Sequence, residues 1–526
     1  MQSLLFLTFC IILSFSAKAD EPDFRITSYP GEHNSGNKFR DSLLFVDNTG
    51  IYLGYIEQMK SLSQGRTIFS EISKFDLDGK LVYQKFLDAE TKSEKLLNIY
   101  STNHAFINLI EQTNSKEKTV TFFADIFNII DYTPVNKSEL YSINLGDKSL
   151  EYKYHGVNSP DFSKLAILIE EKGKAETNTN KRFQVVCFDK NGTTQWSKNY
   201  EIPNNSNYLS EINDIEVNNN GELLLLEKKY VVNNLKKKNF LVSGAEYESG
   251  YEYNAYLIHN EGKEIVKKEL TAKNLSPYLI KTATNPNNQN FFVFSIMGDL
   301  NQEYTDSYYY FEIQPDGNII HKTSFQFESG FVSKFHSNIT NKKTQDLKFS
   351  DRFRKLKILP RTDNSGTYVV IEPTGRILTG NVSAFIDLIV ISLDTKGNNL
   401  WNFRIPRFEE YDFSLNDIFN SNITYVSDNK LHIMYRENNE NLNKSFDEDF
   451  KIFQNRNAKE TTKSIIRILD PSGKLHTQEY LTSRNKEIYY VKSFMSYLRN
   501  NYLVFPAGLP HNSYVKRDYI LSAPLK

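Results

Sequence analysis

Cysteine is almost absent from this chain of 526 residues, which contains only Cys10 and Cys187. If an N-terminal leader that includes Cys10 is removed, no intrachain disulfide can form, even in an oxidising compartment. The fold must then be held together by its core. About 500 remaining residues are enough to bury a large one.

Long apolar runs are missing beyond the N-terminus, and neither sign of charge predominates. No later stretch approaches the roughly 18 apolar residues of a membrane-spanning helix, which predicts that there is no transmembrane segment. The chain carries 63 basic and 64 acidic residues. This balance argues against nucleic acid as a partner, because phosphate binding usually requires a basic domain.

The N-terminal sequence MQSLLFLTFCIILSFSAKAD has an apolar run from Leu4 to Phe15, which is too short to span a bilayer. Small residues follow at Ala17 and Ala19. The pattern predicts a signal peptide over residues 1–19, cleaved after Ala19. A lipoprotein signal at Cys10 is disfavoured, because Phe9 precedes it where a small residue is required. We therefore expect an exported protein, either periplasmic or secreted to the cell surface.

Recognisable catalytic and metal-binding motifs are also missing. No two of the nine histidines lie within five residues of each other, which excludes zincin and zinc-finger spacing, although His259, His321 and His476 could still meet across a ring. The turn Asp76-Leu77-Asp78-Gly79 lacks the rest of a calcium loop. There is no nucleophile elbow and no P-loop. We predict no cofactor, no metal site and no assignable catalytic residue.

What the chain does contain is a repeated hairpin phrase. Each copy has alternating apolar residues, a polar turn and a second alternating run, and a glycine at the turn permits positive φ. The seven copies are FDLDGKLVYQKF (75–86), SINLGDKSLEYKY (142–154), CFDKNGTTQWSKNY (187–200), IHNEGKEIVKKEL (258–270), IQPDGNIIHKTSF (313–325), SLDTKGNNLWNFRI (392–405) and ILDPSGKLHTQEY (468–480).

A second, more continuously apolar hairpin lies between these copies, as is typical of strands buried on both faces. Examples are DSLLFVDNTGIYLGYIEQ (41–58) and INDIEVNNNGELLLLEKKY (212–230). One hairpin of each kind makes a four-stranded antiparallel blade, so the sequence predicts an all-β protein with a single β-propeller domain over residues 20–526. The predicted blades cover approximately 41–90, 93–155, 156–203, 210–272, 277–327, 353–407, 414–482, and 487–526 together with 23–30.

The ends of the chain predict how the propeller closes. Residues 487–525 supply three strands, and FRITSYP (24–30) is a single strand that stands before the first inner hairpin. An eighth blade built from both ends would close the ring and leave no exposed sheet edge. The alternative is seven blades with a loose tail.

The phrases FDKNGTTQW and LDTKGNNLW place Trp196 and Trp401 four residues after the turn glycine. They resemble the blade repeat of quinoprotein-type eight-bladed propellers, a group that includes pyrroloquinoline-quinone dehydrogenases and a periplasmic scaffold of outer-membrane barrel assembly. A dehydrogenase of this group would imply a bound quinone, calcium, a catalytic acid and often adjacent cysteines, a pair that Cys187 alone cannot form. We expect both tryptophans to pack between neighbouring blades.

Four long connections should emerge on one face of the disc, at about 114–139, 231–252, 326–352 and 436–463. Loops this long are usually functional or disordered, and aromatic residues mixed with charge suit protein or sugar recognition. They could also merely extend the strands and cap the disc. The candidate binding residues are Phe122, Phe123, Phe127, Tyr132, Lys236, Lys237, Lys238, Phe240, Tyr247 and Tyr251.

Together these features predict a non-enzymatic, exported binding scaffold. We expect a monomer that holds a protein or glycan partner on its long-loop face. The alternative is a hydrolase or lyase that acts on polysaccharide, because propellers can gather histidine, tyrosine and carboxylates at their central channel.

Overall fold

The computed structural model of the chain is almost entirely β-strand. It describes residues 25–28, 41–47, 49–61, 64–76, 80–87, 93–144, 151–172, 180–203, 208–231, 251–270, 276–298, 304–329, 331, 347–349, 355–372, 374–377, 382–412, 422–441, 453–454, 462–480, 490–491, 497–499, 502–508 and 518–524. Within these ranges the one helical element is a 3-10 turn at Asn439–Asn441, and none has the length and apolarity that a membrane crossing requires. The prediction of an all-β protein is confirmed.

The first five sheets each contain four antiparallel strands in chain order, and we call them blades 1 to 5. Their strands are β2 (Asp41–Asp47), β3 (Gly50–Ser61), β4 (Gln64–Phe75) and β5 (Leu81–Leu87); β6 (Glu94–Ser101), β7 (Ala105–Asn114), β8 (Thr119–Asn128) and β9 (Pro134–Asn144); β10 (Glu151–Asn158), β11 (Leu165–Lys172), β12 (Lys181–Phe188) and β13 (Thr194–Ile202); β14 (Tyr208–Val217), β15 (Leu223–Val231), β16 (Tyr251–His259) and β17 (Glu264–Glu269); and β18 (Ser276–Thr284), β19 (Phe291–Gly298), β20 (Tyr304–Ile313) and β21 (Ile319–Gln326).

Blade 6 has the same four-stranded plan, enlarged by three short strands, and blade 7 returns to four strands. Blade 6 consists of β23 (Lys355–Pro360), β24 (Thr367–Glu372), β26 (Val382–Leu393) and β27 (Asn399–Asp412), with β22 (Leu347–Phe349), β25 (Thr374–Ile377) and β30 (Phe453–Gln454) added. Blade 7 consists of β28 (Ile423–Ser427), β29 (Lys430–Asn438), β31 (Thr462–Leu469) and β32 (Leu475–Tyr480). Strand β30 comes from the long connection of blade 7 and pairs in parallel with β27.

Both ends of the chain contribute to one further sheet. It contains β33 (Tyr490–Val491), β34 (Tyr497–Arg499), β35 (Tyr502–Gly508) and β36 (Asp518–Pro524), and its last strand is β1 (Arg25–Ser28). Strand β1 pairs antiparallel with β36, with Ile26 opposite Leu521 and Thr27 opposite Ile520. We call this the terminal sheet.

The sheets are arranged as the blades of a β-propeller. The first strand of a blade contacts the first strand of the next, as in β10 with β14, β14 with β18, and β18 with β23. Each hydrophobic cluster joins two consecutive blades rather than filling one, so the core is a series of apolar layers between neighbouring sheets. This is the packing expected of a radial repeat, in which every sheet buries both faces.

The tryptophans of the repeated phrase pack between blades, as expected. Trp196 lies against the turn residue Gly262 of blade 4, and Trp401 lies against Gly473 of blade 7. The indole Nε1 of Trp401 also donates a hydrogen bond to the carbonyl oxygen of Pro471, 2.9 Å away. In each of these two phrases the turn glycine therefore contacts the preceding blade, and the tryptophan four residues later contacts the following blade.

Turns of consecutive blades are joined by hydrogen bonds on one face of the disc. Asn103 N donates to the carbonyl of Phe162 at 3.1 Å, Asp161 N donates to Asn219 Oδ1 at 3.3 Å, and Asn219 N donates to Gln289 Oε1 at 2.7 Å. Asn287 Nδ2 donates to Arg361 O at 3.4 Å, and Asp363 N donates to Asn429 Oδ1 at 3.0 Å. These bonds run without interruption from blade 2 to blade 7.

Two sequence predictions in blade 2 were wrong. The phrase at 142–154 is not an outer hairpin, because β9 ends at Asn144 and the next strand, β10, pairs with β11. The segment 114–139 is not a long connection either, since it contains β8, the turn to β9 and the start of β9. The true turn, Asn128–Pro134, has no glycine, and its positive φ of 59° is taken by Tyr132. A search for turn glycines therefore misses it.

Candidate channel site

The first strands of consecutive blades lie side by side and form a wall, as the innermost strands of a propeller do, and at one level of this wall the side chains are polar. In each of blades 2 to 6 the inner turn is closed by a hydrogen bond from one backbone N–H, and the residues that donate it are Thr102, Ser159, Asn218, Asn285 and Arg361. The polar level lies four residues before each of these donors. The half-buried side chains at this level are Asn98, His155, Asp214, Lys281 and Lys357. A polar ring inside an otherwise apolar stack of sheets is the place to look for chemistry.

Asp214 of β14 is anchored by the next blade. Lys281 Nζ lies 2.7 Å from both carboxylate oxygens. Thr282 adds two hydrogen bonds to Oδ2, from its backbone N–H at 3.1 Å and from its hydroxyl at 2.7 Å. This set of donors fixes the position of the carboxyl group between blades 4 and 5.

Glu216 lies two residues further along β14, so its side chain points to the same side of the strand as that of Asp214. The residue as a whole is half-buried. Burial, with a smaller contribution from the Asp214 charge, raises the pKa of Glu216 to about 8, and the Lys281 charge opposes both effects. Glu216 therefore keeps its proton to a higher pH than an ordinary glutamate.

His155 occupies the equivalent position on β10 of blade 3 and faces blade 4. Burial lowers the pKa of His155, and the charges of Glu170 and Asp214 only partly offset this effect. Among the described residues, the buried Nε2 atom of His155 has no hydrogen-bond partner. The imidazole is therefore neutral at neutral pH.

Next to the polar level, an ion pair links blade 3 to blade 4. Lys153 Nζ lies 3.2 Å from Glu211 Oε2, and each side chain is about one third exposed, at 36% and 34%. The pair connects β10 to β14 next to His155 and Asp214. It holds the two strands that carry the candidate acid and base side by side.

The channel wall thus carries a carboxyl group with a raised pKa, an imidazole with a lowered pKa and a carboxyl group held by hydrogen bonds. A proton donor and a proton acceptor that coexist at neutral pH are the components of general acid–base catalysis. Within the described ranges no group of three or more His, Cys, Asp or Glu side chains is placed to hold a metal ion. There His259 and His321 are instead close to carboxylates of their own hairpins, Glu264 and Glu312.

Five of the ten predicted binding residues lie in the part of the chain that the structure describes. In β8, Phe122 is fully buried and Phe123 and Phe127 are half-buried. Tyr132 is 7% exposed and stacks on Phe127, with ring centroids 4.2 Å apart. Tyr251 is the first residue of β16. The remaining candidates, Lys236, Lys237, Lys238, Phe240 and Tyr247, lie outside the described residues.

Sequence reasoning missed Asp214, Glu216 and Lys281, and it treated His155 only as one of nine histidines. A signal was present: the inner strand INDIEV carries two carboxylates on one side of a strand that otherwise reads as buried. Counting back from the inner turns would have aligned Asp214 with His155 and Lys281.

No protein-family model matches the chain, and no curated protein matches its sequence. Solved structures do resemble it. The WD40 domain of SCAP from fission yeast is 8% identical with a TM-score of 0.39, covering 96% of this chain and 98% of that one. An oligogalacturonate lyase in complex with manganese is 10% identical with a TM-score of 0.36, covering 96% of both chains.

The acylaminoacyl peptidase of Pyrococcus horikoshii is 12% identical with a TM-score of 0.35, and the match covers 80% of this chain and 50% of that one. The chain therefore spans half the length of this peptidase. At such low identity and similarity these structures carry no argument about a shared activity. The likeness of the outer hairpins to quinoprotein blades stays a prediction.

The expected non-enzymatic binding scaffold is a prediction that we correct. The solved structures that resemble the chain include a lyase and a peptidase, but this likeness by itself says nothing about activity. The channel also contains a proton donor and acceptor that a passive scaffold does not need. The findings agree better with the alternative, an enzyme with a site in its central channel.

Proposed function

We propose that this chain is an enzyme that cleaves polysaccharide by acid–base chemistry in its central channel. The observation that carries the proposal is the pair of carboxyl groups on β14: Glu216, whose pKa burial raises, and Asp214, two residues away, whose oxygens accept hydrogen bonds from Lys281 and Thr282. Breaking a glycosidic bond requires an acid that protonates the leaving oxygen and a base that removes a proton elsewhere. Carboxyl groups held in different protonation states are a common means to this end.

Glu216 is the proposed acid, and His155 is the proposed base. Asp214 is a poorer base because its oxygens already accept hydrogen bonds from Lys281 and Thr282. In a hydrolase, His155 would take a proton from the attacking water. In a lyase, it would take a proton from a sugar carbon, and Glu216 would protonate the departing oxygen in either case.

We also propose that the propeller has eight blades and that β1 closes the ring. The pairing of β1 with β36 supports this, as do the contacts of β2 in blade 1 with β34 and β35 of the terminal sheet. Export after cleavage at Ala19 is proposed from the N-terminal sequence, and the quinoprotein-like character of the blades is proposed from the two tryptophan phrases.

The test is to incubate the purified mature chain with a panel of neutral and acidic polysaccharides. New reducing ends report cleavage of any kind, and ultraviolet absorbance of an unsaturated product identifies a lyase. Glu216→Gln should reduce the rate by about 100-fold or more, which is typical of losing a general acid. The matched control is Glu269→Gln, an exposed carboxylate on the outer strand of the same blade. Absence of cleavage across the panel, or full activity of Glu216→Gln, would contradict the proposal.

A further inference from the structure

A buried ion pair lies between blades 3 and 4, behind the channel wall. Lys181 Nζ is 3.0 Å from Glu170 Oε1, and the two side chains are 6% and 5% exposed. Burying charges in this way is costly unless their remaining polar atoms are satisfied. Among the described residues, however, Glu170 Oε2 has no hydrogen-bond partner, and Lys181 Nζ has no aligned hydrogen bond.

His155 is placed to reach this pair. Glu170 on β11 lies directly opposite Lys153 on β10, and His155 is two residues beyond Lys153 on the same face of the sheet. Diagonal neighbours of this kind are within reach of long side chains. On the other side of β11, Glu170 lies opposite Phe183 of β12. Lys181 is two residues from Phe183 on the same face of β12, so it is also a diagonal neighbour of Glu170.

The three unsatisfied groups complement each other. Glu170 Oε2 can only accept a hydrogen bond, Lys181 can only donate, and His155 Nε2 can donate as an N–H group. A buried water typically makes about three hydrogen bonds to polar groups that lack other partners. One water molecule has enough donors and acceptors to bond to all three groups.

We propose that one ordered water bridges His155 Nε2, Glu170 Oε2 and Lys181, and that Glu170 is thereby a positioning residue for His155. The bridge places the proton on Nε2, which leaves Nδ1 as the nitrogen that accepts a proton. Base and orienting carboxylate then form the relay that many acid–base sites use. The description of His155 as a base rests on the proposed function, but the bridge itself does not.

The charges that face His155 are those of Lys153 on its own strand, Glu170 on β11, Lys181 on β12 and Asp214 on β14. A negative charge at Glu170 stabilises the imidazolium form, and a positive charge at Lys181 destabilises it. Replacing Glu170 with glutamine should therefore lower the pKa of His155 further. Replacing Lys181 with methionine should raise it.

The experiment is an NMR titration of the histidine side chains in the full mature chain, with the His155 signal assigned from its loss in His155→Gln. Glu170→Gln should move the His155 midpoint down by roughly half a pH unit or more, and Lys181→Met should move it up, because nearby charges commonly shift a pKa by about one unit. Glu171→Gln is the matched control. That neighbouring carboxylate points to the other face and bonds to Tyr141, so the midpoint should not move.

An unmoved His155 midpoint in both folded variants would overturn the proposal and leave Glu170 and Lys181 as a purely structural pair. If Glu170→Gln does not fold, Lys181→Met decides on its own. A high-resolution crystal structure without a water between Glu170 and His155 would also overturn it. The titration does not depend on any substrate, so moved midpoints in a chain that cleaves no polysaccharide would contradict the proposed function alone.

Discussion

Trp196 of blade 3 and Gly262 of blade 4 are in such close contact that a Cβ atom on Gly262 would stand 2.7 Å from Trp196 Cε3. The same relation recurs between Trp401 and Gly473, where the separation would be 3.2 Å. The glycine therefore makes room for a tryptophan of the preceding blade as well as forming its own turn.

The first prediction concerns this contact. Gly262→Ala should destabilise the fold by about 1–3 kcal/mol more than Gly221→Ala, because overpacking adds to the backbone strain. Both glycines have similar positive φ, 75° and 85°, but a Cβ on Gly221 would stand 3.3 Å from its nearest neighbour, Cys187 Sγ. Urea unfolding of the two variants measures the difference. Equal losses would mean that strain at the turn, and not contact with Trp196, governs the choice of glycine.

The second prediction concerns the pH dependence of stability at Glu216. Its folded-state pKa of about 8 lies above the ordinary value of 4.5, so the folded chain holds this proton more tightly than the unfolded chain. The contribution of Glu216 to stability is therefore fully present below about pH 4.5 and is lost as the pH rises toward 8. Glu216→Gln should gain stability relative to the native chain over this interval, measured by urea midpoints. A constant difference between the two would contradict the raised pKa.

The third prediction concerns the ion pair inside blade 6. Arg404 Nε lies 2.8 Å from Asp387 Oδ2, and the Asp387 side chain is fully buried. Asp387→Asn should cost about 3–5 kcal/mol, because it leaves the arginine charge buried without its counter-ion. Asp387→Leu combined with Arg404→Met should cost less than the single change. The exposed pair of Arg182 and Glu201 provides the control, where Glu201→Gln should change stability by less than about 0.5 kcal/mol.

The fourth prediction tests whether strand β1 closes the ring. Deleting residues 20–32 removes the strand that pairs with β36, so backbone groups of β36 lose their partners and a sheet edge is exposed. The thermal midpoint should fall clearly, since such a loss is a large share of typical domain stability. A shorter deletion of residues 20–23, which leaves β1 intact, should have little effect. An unchanged midpoint for the longer deletion, with monomeric elution, would mean that the ring closes in another way.

Much of the architecture follows from local pattern. Alternating apolar residues on either side of a polar turn specify a hairpin, and hairpins of two kinds in alternation specify four-stranded antiparallel sheets. The pattern failed where the turn used no glycine, at Asn128–Pro134, because Tyr132 takes the positive φ itself. At that turn, packing stabilises a positive φ that sequence alone would assign to glycine, since the buried Tyr132 stacks on Phe127 and accepts a hydrogen bond from Asn108.

Strand alternation and turn chemistry act over a few neighbouring residues, so the formation of β-hairpins in series can be predicted from the amino-acid sequence. Which side chains meet depends instead on how the blades pack. His155, Asp214 and Lys281 are 59 and 67 residues apart along the chain, and they share one level of the channel because equivalent strands of consecutive blades stand side by side. The proton states of Glu216 and His155 were likewise decided by burial and by charges from neighbouring blades, which no local pattern records.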